Sequence, residues 1–264
     1  MILPLSSEAR AALIAYHESC LQPFRDAVKT SRLAHAWILY GPPGCGAEVA
    51  AQTLVAEFLT RGGDASALQH LSHGTHPDVM IVEKPEDKTG ISVEAIRDAC
   101  SFLSKTSSLG AGRALIIAGA EIMTRQAANA LLKRLEEPSA GSLLILTTSA
   151  LGALPLTLRS RCWRLRLKGL DQATFSACLP SVSPETYHLH SGNLESALQG
   201  KLNTLDKVLH QKYTKIVVKA RSKDSSVLSD LDHYDTMALL LRDAQTYYLD
   251  AETTAVVASA YADS

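Results

Sequence analysis

Short β-rich runs recur at Ala36–Tyr40, Val79–Val82, Ala114–Ala118, Leu143–Thr148 and Trp163–Leu167, and the segments between them carry apolar residues at helical spacing. Five strands separated by helices predict an α/β fold, a parallel sheet with helices on both faces. A helix is expected from Ala47 to Leu59, directly after the first strand. Ser92 is placed to cap a helix whose apolar positions are Val93, Ile96, Cys100 and Leu103, and Thr124 precedes another carrying Ala127, Ala128, Leu131, Leu132 and Leu135, which Pro138 ends. The strand pattern stops after Leu167. Gly169-Leu170-Asp171 reads as a linker with an N-cap. Short helices follow at Asp171–Leu179, Pro184–His190 and Asn193–Gln199, then longer helical patterns around Leu205–Arg221, Tyr234–Leu249 and Thr253–Ala262.

The junction of the first strand and its helix carries the most telling chemistry. Gly41-Pro42-Pro43-Gly44-Cys45-Gly46-Ala47-Glu48 keeps the glycine spacing of a phosphate-binding loop, G-x-x-x-x-G-K-[ST]. Ala47 stands where the Lys that reaches the phosphates belongs, and Glu48 stands where a hydroxyl would meet Mg²⁺. A carboxylate opposite triphosphate oxygens opposes nucleotide binding. The loop therefore predicts a fold of the nucleotide-binding kind with no bound cofactor.

Composition narrows the alternatives. The 264 residues are 46% hydrophobic and 20% charged with a net charge of -1, so no global field calls for nucleic acid or a membrane surface. No apolar run approaches the ~18 residues of a membrane span, and the N-terminal residues lack a basic segment before an apolar core. A cytoplasmic chain is expected, with its five cysteines reduced because none forms a C-x-x-C pair. His70, His73 and His76 recur every third residue, but they lack the Cys or carboxylate partners of a metal site, and no metal is expected. Cys45 and Cys162 read as small semi-buried residues, and Trp37 and Trp163 as core packing.

Four segments in fixed order carry a family resemblance: the glycine loop at 41–48, Thr75-His76-Pro77-Asp78, the stretch Ala127-Ala128-Asn129-Ala130-Leu131-Leu132-Lys133-Arg134-Leu135-Glu136-Glu137-Pro138, and Thr157-Leu158-Arg159-Ser160-Arg161-Cys162. Together, over roughly residues 30 to 200, they resemble the delta-prime kind of subunit in the bacterial DNA polymerase III clamp loader. The resemblance implies an AAA+ five-stranded core over 1–168, a small helical lid over 169–204 and a shortened C-terminal helical collar over 205–264. It implies gamma/tau and delta subunits as partners and, through the complex, the sliding clamp and primed DNA. The ATP-hydrolysing relatives end the third strand in an acidic pair and carry an Arg in the lid helix. Here the corresponding residues are Gly119-Ala120, with Glu121 beyond them, and Ser191–Ala197 contains no Arg. Relatives also hold a four-Cys zinc module just upstream of the three histidines, and residues 60–68 contain no Cys.

The same resemblance gives Arg161, with Ser160 and Cys162 as its motif, the role of an arginine finger that enters a neighbour's ATP site. For Asn129, Lys133, Glu136 and Glu137, a solvated helix face and an inter-subunit contact both stand open. Arg97, Lys105, Arg113 and Arg125 are candidates for a DNA-facing channel, beside an equally good reading as solvated surface. Two rival functions also remain at this point. One is an autonomous ATPase of the gamma/tau kind, and the other is a free-standing replication adaptor.

Overall fold

A computed structural model describes residues 5–60, 76–85, 88–110 and 112–180, and beyond these only 187, 190 and 192–199. Its first compact unit ends at Pro180. Five strands form one parallel sheet: β1 (Ala36–Tyr40), β2 (Val79–Val82), β3 (Arg113–Ile117), β4 (Ser142–Thr148) and β5 (Trp163–Arg166), in the order β2-β3-β4-β1-β5. The expected α/β class and five parallel strands are therefore present, each boundary within one residue of its expected place.

The central strands β1, β3 and β4 are apolar on both sides because both faces are covered. On one face Trp37, Leu39, Ala114, Ile116, Leu143 and Ile145 pack against α1 (Ser7–Lys29) and α2 (Ala47–Thr60). On the other, Ile38, Leu115, Ile117, Leu144 and Leu146 meet α3 (Val93–Ser104), α4 (Arg125–Glu136) and the single-turn α5 (Leu156–Arg159). Ser92 and Thr124 cap α3 and α4 as their sequences imply, each hydroxyl accepting from the backbone N–H three residues on. Asp171 does the same for α6 (Gln172–Cys178).

Helix α1 is not legible in the pattern, yet it holds the glycine loop from behind. Its buried residues are Ala9, Leu13, His17, Leu21 and Phe24. The His17 ring donates through Nε2 to the Cys45 carbonyl at 2.9 Å, and Arg10 donates to the Gln52 side chain at 3.0 Å. Gly46 has φ +84°, and a Cβ there would lie 2.3 Å from a Leu13 methyl carbon. Gly46→Ala adds left-handed strain to a clash in a filled core, so it should cost about 2 to 4 kcal/mol in urea unfolding. An unchanged midpoint would show that Leu13 yields freely.

Helix α6 also packs on α1, with the Cys178 thiol 3.6 Å from the Ala9 carbonyl. The first helix expected for the lid thus lies in the first compact unit, and the division falls between Pro180 and Ser181. In the second unit, α7 (Leu194–Gln199) is described, with Asn193 Oδ1 accepting from the Ser196 N–H at 3.0 Å. The helices expected around Leu205–Arg221, Tyr234–Leu249 and Thr253–Ala262 lie outside the described residues. Among the described residues no helix is long and apolar enough to cross a membrane.

Candidate functional site

The glycine loop leaves β1 and turns into α2, the strand–loop–helix placement of a phosphate loop. Gly41 is packed so closely that a Cβ would lie 2.9 Å from the Cys45 sulfur and 3.0 Å from the Leu167 carbonyl oxygen. Internal packing alone thus requires glycine at 41 and 46. Ala47, in the first turn of α2, is buried and offers no charge.

Glu48 has found a partner within the chain. Thr147, fully buried at the end of β4, donates its hydroxyl to Glu48 Oε1 at 2.9 Å, and the same hydroxyl oxygen accepts from the Gly119 N–H at 3.2 Å. A carboxylate in the first turn complements the positive end of the α2 dipole, the place a bound phosphate would take. The start of α2, the end of β4 and the turn after β3 are tied together at this end of the sheet by a carboxylate, a hydroxyl and a backbone amide.

Glu121, the acidic residue past β3, lies in the 3₁₀ turn Ala120–Ile122. Its Oε1 accepts from the Ser149 N–H at 3.1 Å and from the Ser149 hydroxyl at 2.7 Å. It is committed to the end of β4 and stands outside the Glu48 network. Cys45 is buried, and burial, then the Glu48 charge, push its thiol up to about 12. Burial raises Cys162 to about 12 as well.

Arg161 follows α5 on the surface. Its side chain is 38% exposed, and Nη1 donates to the Thr157 carbonyl at 3.0 Å. Nη2 pairs with Glu136 Oε1 at 2.8 Å, and Glu136 is 54% exposed. Two residues singled out separately in the sequence therefore meet. Asn129, Lys133 and Glu136 are exposed on α4, and Glu137 is exposed at its C-cap. Asn129, Lys133 and Glu136 follow one another at four and then three residues, so they share a face with Arg125 before them. Cys162 is buried under this surface in the core that α4 and α5 share, and the Ser160 hydroxyl donates back to the Thr157 carbonyl at 3.2 Å.

The structure corrects two of the expectations from sequence. Arg113 does not face a channel. It donates to the Thr106 carbonyl at 2.9 Å, sits 4.5 Å over the Phe102 ring and lies 3.4 Å from Asp78, with its side chain 10% exposed. A position at the start of a strand suggests surface, but the loop before β3 folds over it. Trp163 is not core either: it is 65% exposed, against 2% for Trp37. Strand β5 is an edge strand, and the described contact of the Trp163 ring is a tilted one with Trp37, centroids 5.8 Å apart. Arg97, Lys105 and Arg125 are exposed.

Within the Thr75–Asp78 motif, the described residues His76 and Asp78 have a structural task. Asp78 is fully buried and accepts from the Ser108 N–H at 2.7 Å and from the Leu109 N–H and the Ser107 hydroxyl at 2.8 Å each. His76 Nδ1 accepts from the Asp78 N–H at 3.2 Å. His70 and His73 lie outside the described residues, among which no cluster of potential metal ligands occurs.

Residues 16–171 match the family model described as DNA polymerase III, delta subunit, more than half of the chain. The chain belongs to this family. Its relatives make it delta-prime-like. It is 39% identical over 136 residues to DNA polymerase III subunit delta' of Pseudomonas aeruginosa, covering 49% of this chain and 42% of that one. To subunit delta' of Escherichia coli it is 33% identical over 135 residues, 48% of this chain and 40% of the other. Subunit tau of Bacillus subtilis matches at 26% over 205 residues, 74% of this chain and 36% of the tau chain. The chain thus spans less than half the length of the first two relatives. A gamma subunit-related protein of Thermotoga maritima superimposes with a TM-score of 0.49 at 19% identity, covering 84% of this chain and 76% of that one.

Proposed function

We propose that this delta-prime-like chain is a non-catalytic clamp-loader subunit in DNA replication, and that it supplies Arg161 in trans to the ATP site of a neighbouring gamma/tau subunit. The observation that carries this reading is an asymmetry between its two candidate sites. The phosphate loop lacks its Lys and hydroxyl, and Glu48 is already hydrogen-bonded to Thr147. Arg161 by contrast keeps an exposed, always-charged guanidinium at the surface. Phosphoryl transfer needs cations around the moving group, so a site without Lys, metal ligand or acidic pair is expected to have no ATPase of its own.

The proposed partners are gamma/tau and delta, with the sliding clamp and primed DNA met through the complex, in the cytoplasm. An AAA+ core over 1–168, a lid over 169–204 and an abbreviated collar over 205–264 go with this reading. Asn129, Lys133, Glu136 and Glu137 are its interface candidates, and Arg97, Lys105 and Arg125 its candidates for facing DNA.

Reconstitution tests it. Size-exclusion chromatography with gamma/tau and delta should give a complex that contains this chain, and clamp loading should depend on its presence. Co-elution without any effect on loading would favour the adaptor. Calorimetry of the isolated chain should detect no saturable binding of Mg·ATP or ADP at physiological concentrations. The double variant Ala47→Lys with Glu48→Thr should remain without turnover, because Gly119 and Ala120 supply no acidic pair. Saturable micromolar binding by the unaltered chain would return the gamma/tau-like ATPase to first place.

A further inference from the structure

The ion pair between Glu136 and Arg161 joins the end of α4 to the second residue after α5, 25 positions apart in the chain. We infer that Glu136 is a positioning residue for Arg161, holding the guanidinium in place on its own subunit so that it meets the anionic phosphates of a neighbour already oriented. This inference rests on the trans role proposed above and adds to it a residue in cis.

The geometry supports positioning over locking. Arg161 is anchored through both Nη atoms, Nη1 on the Thr157 carbonyl at 3.0 Å and more loosely on the Ser160 hydroxyl at 3.5 Å, and Nη2 on Glu136 at 2.8 Å. Among the described residues Nε has no partner, and the pair uses one of the two Glu136 oxygens, so the fork is not closed by a bidentate clamp. Both side chains are more than a third exposed, and ion pairs so placed are weak and easily exchanged. An unanchored Arg would spread over many rotamers, and fixing them at the moment of contact would subtract from the interaction it makes. A carboxylate is also a fitting placeholder, since guanidinium recognises carboxylate and phosphate with the same donor geometry. Glu136 can therefore hand Arg161 to a phosphate without a large barrier.

The test compares Glu136→Gln, Glu136→Asp and Arg161→Ala in the reconstituted loader, with Asp98→Asn as an exposed acidic control on α3. Glu136→Gln should lower kcat for stimulated ATP hydrolysis at the adjoining site about 3- to 10-fold with KM for ATP unchanged, since the guanidinium keeps its charge but loses one anchor. Glu136→Asp should recover part of that loss, and Asp98→Asn should show none. In the isolated chain, phenylglyoxal should modify Arg161 faster in Glu136→Gln than in Asp98→Asn, by mass spectrometry, with no change in circular dichroism. If Arg161→Ala abolishes stimulation while Glu136→Gln behaves like the control, or speeds hydrolysis, positioning by Glu136 is refuted and the finger role stands. If Arg161→Ala is itself without effect, the trans role fails and this inference with it.

Discussion

On the trans role proposed above, Arg161→Ala should leave the chain folded and still associated with its partners, yet lower the clamp- and DNA-stimulated ATPase at the one site it serves by ~10³ to 10⁵. That factor corresponds to roughly 4 to 7 kcal/mol of transition-state stabilisation. Folding should be spared because the residue is exposed and the lost ion pair with Glu136, exposed on both sides, contributes at most about 1 kcal/mol. Total turnover should fall less than clamp loading does if other sites keep hydrolysing while loading needs all of them. Arg161→Lys should restore only part of the rate, because an ammonium keeps the charge and loses the planar fork. Unchanged clamp loading and unchanged ATPase in a correctly assembled Arg161→Ala complex would end the trans-activating reading and leave the adaptor as the better account.

The sheet is legible because its strands are short apolar runs bounded by turns and caps, and because period and capping agree at Ser92, Thr124 and Asp171. Helix α1 is hidden for an identifiable reason. Its buried stripe is Ala9, Leu13, His17, Leu21 and Phe24, in which a buried histidine and a small alanine dilute the apolar signal, and Pro23 lies inside the helix. Ser6, whose side chain accepts from the Ala9 N–H at 3.2 Å, is the available clue. The loss of Lys from the glycine loop is plain in sequence. That Thr147, 99 residues away, satisfies Glu48 is not, because such pairs are made by sheet order and not by spacing.

The same limit explains Glu136, Arg113 and Trp163. Local pattern places each on a helix end, a strand start and a strand, but exposure depends on which neighbour the topology supplies. Strand β5, Trp-Arg-Leu-Arg, is read like any other β-rich run until the order β2-β3-β4-β1-β5 puts it at an edge. Where a site is a contiguous motif, as at 41–48, the sequence carries its chemistry. Where a site is assembled from α4 and α5, only the fold brings Glu136 to Arg161.

Asp78→Ala should cost the fold more than Gly46→Ala or Arg161→Ala, about 3 to 5 kcal/mol, since it removes one partner of a buried charged network and strands the others. The carboxylate accepts from two backbone N–H groups and one hydroxyl within 2.8 Å, and the largely buried Arg113 guanidinium lies 3.4 Å away. Burial alone would push its pKa up. The bonds from Ser108, Leu109 and Ser107 and the Arg113 charge outweigh that and hold it below the ordinary aspartate value. Because the folded value lies below the unfolded one, the stabilisation is complete above the unfolded pKa near ~4 and is lost as pH falls from there through the folded pKa. Urea unfolding at neutral pH should therefore show the full deficit of Asp78→Ala. Acidification below about pH 4 should narrow the gap, since the unaltered chain loses its Asp78 contribution there and the variant has none to lose. Asp78→Asn should recover little, because its amide presents donors to a ring of donors. A variant that unfolds at the same urea concentration as the unaltered chain would mean that the 106–110 turn holds its place without Asp78, and that the network follows from the fold instead of fixing it.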